Sequence, residues 1–132
     1  MYRDSSKSTT DRVIDLLGQM TLEEKVAQLC GCWPYELLGP AGLDSERMKS
    51  RLAHGIGQVS RLAGMSPEPP ATTAAIVNAI QHFLLRETRL GIPAVVHEEC
   101  LCGYQAKRGT VFTQAIGLAA TWDPALVERM TD

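Results

Sequence analysis

Apolar positions recur at two spacings along this chain, one helical and one continuous, with polar or turn-forming residues between them. Val13, Ile14 and Leu17 follow a polar opening at helical spacing. They predict a short helix capped by Thr10 or Asp11 and running through Leu17, with Gly18 placed to end it. Thr21-Leu22-Glu23-Glu24 then reads as a capping box, Thr21 accepting from the amide of Glu24 while the Glu24 carboxylate reaches back. Leu22, Val26 and Leu29 follow at helical spacing and are expected to face a core. Residues 31–43 are punctuated by Gly and Pro and read as a loop that packs through Trp33, Tyr35, Leu37 and Leu38. A helix is predicted over 44–54, opened by Asp44 or Ser45 and stopped by Gly55, and Ile56–Ser60 is a strand candidate.

Met65–Pro70 is a Pro-rich connector. Residues 71–89 carry the clearest helical pattern, with Ile76, Ile80, Phe83, Leu84 and Glu87 on one side and Asn78, Gln81 and His82 on another. Gly91 ends that helix, Pro93 prevents its resumption, and Ala94-Val95-Val96 form the next strand. Strand, long helix, strand is a βαβ unit, which implies two parallel strands with a right-handed crossover. Ala115–Ala120 is a candidate third strand, and Asp123-Pro124 is a sound start for a final helix.

Two or three parallel strands cannot close a barrel, nor can one βαβ unit cover both faces of a parallel sheet. The fold class expected is therefore α/β, as the opening portion of a (β/α)8 barrel cut in mid-helix. Residues 1–9 form a polar tail, and residues 10–132 the partial barrel domain. Apolar helix faces without partners make association with another chain a further expectation.

Charge and composition narrow the function. The formal net charge is −2 and no Lys/Arg run supplies the basic footprint that nucleic acid requires. No apolar run approaches membrane-spanning length, and the start MYRDSSKSTTDR lacks the apolar core of a signal peptide. A cytoplasmic protein is expected. Cys30/Cys32 and Cys100/Cys102 have one residue between partners, whereas structural zinc sites usually have two or more. The cysteines read as reduced, mostly buried thiols, and no metal is expected. His54, His82 and His97 are scattered, and His82 reads as a surface residue.

Candidate chemistry concentrates in GIPAVVHEECLCGYQAKRGTVFTQAIGL, residues 91–118. A short apolar strand opens onto His97-Glu98-Glu99 and then onto a loop containing Gly103 and Gly109. In α/β proteins, function gathers where strands end. Glu98 and Glu99 are adjacent carboxylates, but along an extended segment neighbouring side chains point to opposite faces and cannot flank one bond. His97 reads either as a ligand contact or as a histidine bonded within the structure. Lys107 and Arg108 read either as substrate contacts or as solvated loop charges.

The segments MTLEEKVAQL, HGIGQVSRL, NAIQHFLLRETRLGIPAVVHEECLCG and TVFTQAIGLAATWDPALVERM, in this order, resemble the N-terminal region of glycoside hydrolase family 3. The similarity runs from about Arg12 to the end. It implies a (β/α) barrel domain, usually followed by an α/β sandwich. It also implies cofactor-free hydrolysis of terminal non-reducing β-linked sugars, as by β-glucosidases and β-xylosidases. A carbohydrate would then be the partner. Glu99, four residues before Gly103, matches the acid that bonds sugar hydroxyls on the non-reducing side of the cut. His97, Glu98 and Lys107 are lesser substrate-binding candidates, Glu98 also as a structural group. Trp122 reads either as a sugar-stacking platform or, as is commoner for a Trp just before a helix cap, as packing under the final helix, which is the expectation. A Glu reaches one methylene further than an Asp, which tilts the expectation towards pentoses. Cys102 stands where relatives often have His, and Thr113 where Pro commonly follows Phe112. Retaining glycosidases need two carboxyl groups about 5 Å apart. The resemblance puts both the nucleophile and the acid/base beyond Asp132, so no catalytic residue is expected in this chain. The other reading is a non-catalytic remnant that binds sugar or associates with another chain.

Overall fold

The structure, a computed structural model, describes residues 1–65 and 68–131; Ser66 and Pro67 of the Pro-rich connector, and Asp132, lie outside the described residues. Helix α1 (Thr9–Gln19) begins earlier than expected because Ser8, and not Thr10 or Asp11, caps it, its side chain accepting from the amide of Asp11 at 3.1 Å. Gly18 lies inside the helix, which ends at Gln19. Helix α2 (Leu22–Leu29) has the predicted capping box: the Thr21 hydroxyl accepts from the Glu24 amide at 3.3 Å, and the Thr21 amide donates to Glu24 at 2.9 Å.

The same Glu24 carboxylate, 7% exposed, receives the Arg89 guanidinium through Nε at 2.9 Å and Nη2 at 2.5 Å. Arg89 Nη2 also donates to the Gln19 carbonyl. One arginine thus ties the α1–α2 joint to the chain that follows the long helix. This docking turns the polar side of α2 inward and corrects the expected orientation. Leu22, Val26 and Leu29 are 72%, 51% and 88% exposed, and Val13, Ile14 and Leu17 of α1 are also exposed.

The stretch expected to be only loop contains strand β1 (Gly31–Cys32), a 3-10 turn (Pro34–Glu36) and a small hairpin of β2 (Leu38–Gly39) and β3 (Gly42–Leu43). A two-residue strand carries no readable period. Its pairing comes from the free edge of β4 (Gln58–Ser60), which it meets in parallel register. Trp33 and Tyr35 stack with ring centroids 6.5 Å apart. Helix α3 (Ser45–Arg51) is capped by Asp44, which accepts from the amides of Glu46 and Arg47. Helix α4 (Pro70–Glu87) leads to β5 (Val95–His97), and Gly91 between them takes φ +60°.

The three-stranded sheet has the order β1-β4-β5, all parallel, with Gln58 opposite Val95, Val59 opposite Val96 and Ser60 opposite His97. Side chains alternate across such strands. Cys32 and Val59 join Leu37, Leu52, Ile56, Leu62, Ile80, Leu84 and Ala94 in the core, with Ile76, Phe83 and Val96 packed against it. In the alternate row Gly31, Gln58 and Val95 are exposed, so one face of the sheet is covered and the other is bare. Gln81, expected on a polar face, clamps α4 to the sheet: its amide donates to the Ala94 carbonyl at 2.8 Å and accepts from the Ala94 amide at 3.0 Å.

The candidate third strand is instead helix α5 (Ala115–Ala119). Alanine is the best helix former, and a short apolar run has no period to decide between helix and strand. Helix α6 (Pro124–Thr131) follows, with Asp123 accepting from the Leu126 amide at 3.0 Å. Trp122 does not pack under α6 as expected. It is 91% exposed at φ +54°. That left-handed residue turns the chain into the helix and throws the indole outward.

Candidate functional site

The carboxyl ends of β4 and β5 bring the candidate residues together in two groups. The first surrounds His97 and Glu99. Ser60 and His97 are paired across the ladder, and the Ser60 hydroxyl lies 2.9 Å from His97 Nε2. The Arg61 amide donates to the His97 carbonyl at 2.7 Å, extending the ladder one residue past the strand. Arg61 itself sits at φ +55°. Such backbone costs a non-glycine residue about 1–3 kcal/mol and persists only where surrounding contacts hold it. Its guanidinium has those contacts: Nη1 lies 3.4 Å from the Glu99 carboxylate, and Nη2 donates to Gln105 Oε1 at 2.9 Å. The Glu99 side chain is 47% exposed beside that charge. Gln105 in turn donates to the Cys102 sulfur at 3.6 Å, so a continuous line of contacts runs from Glu99 through Arg61 and Gln105 to Cys102.

The second group surrounds Glu98. Its carboxylate accepts from the amides of Ala63 at 2.6 Å and Gly64 at 3.2 Å, both in the turn after β4. Glu98 is therefore committed to backbone, whereas Glu99 turns to Arg61. Lys107, exposed, shares with Glu98 a cleft of about 330 Å³ walled by Leu62, Val77 and Val96. Glu99 does not line it. Val96 packs towards the helices, so that cleft belongs to the covered side of the sheet and is separate from the Ser60–His97 row.

The thiols divide by burial. Cys32 is buried, and desolvation, helped by the nearby Glu36 charge, pushes its pKa up to about 11. Cys102 is also buried, while Cys30 and Cys100 are exposed, so the expectation of mostly buried thiols holds for half of them; all four are free. Sequence reading missed Ser60, Arg61 and Gln105. Arg61 carried a signal like that of Glu99, a charged residue just past a strand candidate, and spacing alone did not reveal which partner it would meet.

Comparison with known proteins adds what geometry cannot. The model of the glycosyl hydrolase family 3 N-terminal domain matches residues 21–132. The chain belongs to glycosyl hydrolase family 3. Among curated relatives, β-glucosidase C of Emericella nidulans is 34% identical across the whole chain, which corresponds to 22% of that protein. The probable β-glucosidase C of Aspergillus flavus is 35% identical, again over the whole chain and 22% of its own length. A putative β-xylosidase of Formosa agariphila is 33% identical over 99% of the chain and 18% of its own length. The chain thus spans about a fifth of these family 3 relatives. Among the described residues, no helix is long and apolar enough to cross a membrane.

Proposed function

We propose that this chain forms the opening strands of a (β/α)8 barrel in a retaining glycosidase of β-glucosidase or β-xylosidase type. In that reading, residues beyond Asp132 supply the nucleophile and the acid/base. The observation that carries it is the half-exposed Glu99 carboxylate beside Arg61, past the carboxyl end of a parallel strand, in a chain of this family. An ionised carboxylate accepts strong bonds from sugar hydroxyls and so fixes a ring in place. The bare face of the β1-β4-β5 sheet supports the barrel reading, because parallel sheets are ordinarily covered on both faces. Glu98, held by two backbone amides, is a structural group, and His97 and Lys107 remain secondary substrate contacts.

The test is to read the coding frame past the Asp132 codon and assay the resulting polypeptide on aryl β-glucosides and β-xylosides. Hydrolysis that weakens on Glu99→Ala supports the proposal. A stop codon at that point, with no hydrolysis by the product, overturns it. The extra methylene of Glu99 relative to Asp predicts a preference for the xyloside, and a strong glucoside preference removes that part of the reading. A second reading draws on the exposed apolar residues of α1 and α2. In it the chain is a non-catalytic module that associates with another polypeptide.

A further inference from the structure

We infer that Arg61 is the positioning residue for Glu99, fixing where its carboxylate stands and keeping a positive charge against it. The inference rests on the sugar-binding reading of Glu99. Three observations converge on Arg61. Its backbone is held in the left-handed region at φ +55°, which aims the side chain across the strand ends instead of along β4. Its amide is pinned to the His97 carbonyl at 2.7 Å, so the departure point of the side chain is set by the ladder that also places Glu99. Its guanidinium then uses both ends: Nη1 faces Glu99 at 3.4 Å and Nη2 donates to Gln105 at 2.9 Å.

Arg61 contacts both the strand end, at His97 and Glu99, and the Gly-punctuated loop, at Gln105. A planar guanidinium suits that task, because its donors diverge at fixed angles and a lysine ammonium presents only a point charge. Removing the guanidinium leaves Glu99 present, half-exposed and without the neighbour that restricts its rotamers. Substrate binding then weakens through Glu99 while the chemistry at the sugar carbon proceeds as before.

The experiment is steady-state kinetics of the full-length protein with an aryl β-glycoside, comparing wild type, Glu99→Ala, Arg61→Ala, Arg61→Lys and the double alanine variant. Expected are a roughly tenfold higher KM for Arg61→Ala, the change that about 1.4 kcal/mol makes, with kcat little altered. Partial recovery is expected in Arg61→Lys, and recovery of Arg61→Ala on adding free guanidinium. In the double variant, the loss should not exceed that of Glu99→Ala alone. Guanidinium rescue separates local positioning from misfolding, since a disrupted fold is not repaired by a small cation. If Arg61→Ala leaves KM unchanged while Glu99→Ala raises it, the positioning role is overturned and the sugar reading stands. A loss in Arg61→Ala that neither lysine nor guanidinium recovers overturns it equally. If Glu99→Ala itself leaves KM unchanged, the sugar reading falls and takes this inference with it.

Discussion

Gly57, just before β4, lies hard against the end of α2, and exchanging it for alanine is expected to be costly. Its amide donates to the carbonyls of Ala27 at 3.0 Å and Cys30 at 3.1 Å, which brings the start of β4 hard against the end of α2. A Cβ built at Gly57 would stand 2.0 Å from the Gln28 carbonyl oxygen and 2.8 Å from its carbon. Real Cβ atoms essentially never approach within 3.0 Å, so the two backbones must separate by at least 1.0 Å, the difference between 3.0 and 2.0 Å. Neither obstacle is a side chain that can swing away. Overpacking of this kind costs about 1–3 kcal/mol, and losing one of the two amide bonds adds about 1 kcal/mol. Gly57→Ala should therefore lose about 2–4 kcal/mol by that sum. Gly18 is the internal control: it lies within α1, and nothing stands within 4 Å of its added Cβ. Gly18→Ala should gain roughly 0.5–1 kcal/mol, the ordinary helical advantage of alanine over glycine. Urea unfolding followed by far-UV circular dichroism reads both variants on the same polypeptide. At a slope of about 1–3 kcal/mol per molar urea, the Gly57→Ala midpoint should drop by roughly 1 M or more. A Gly57→Ala midpoint equal to wild type refutes the close approach. A lowered Gly18→Ala midpoint refutes the reading of Gly18 as helical and open.

Three further outcomes are expected. The Arg89 hydrogen bonds hold the Glu24 pKa below its ordinary value of 4.5, against the opposing effect of burial. A depressed folded value means the stabilisation is present above pH 4.5 and is lost as pH falls through the folded value, so acid unfolding curves should show this loss and Arg89→Ala should flatten it. Near pH 8, where an ordinary thiol is partly ionised, a thiol reagent should modify exposed Cys30 and Cys100 quickly, and Cys32 and Cys102 only after denaturant is added. Glu98→Ala leaves the Ala63 and Gly64 amides without their acceptor and should cost about 1–3 kcal/mol, read as a lower unfolding midpoint, with Glu98→Gln losing less because its carbonyl still accepts.

What the chain encodes by itself is what near neighbours decide. The Thr21–Glu24 box, the Asp44 cap, the long helix α4 and its return into β5 all depend on residues within a few positions of one another, and all were legible. So was the family, because its segments recur in order. The tertiary structure alone decided the rest. β1 exists because β4 offers a free edge, and α5 is a helix although its apolar run suited a strand equally. The apolar stripe of α2 faces outward because Arg89, 65 positions from Glu24, draws the polar side in. Glu98 and Glu99 carry the same functional group one residue apart. Their roles separate only because the amides after β4 meet one and Arg61 meets the other, contacts that span more than thirty positions and leave no period in the sequence.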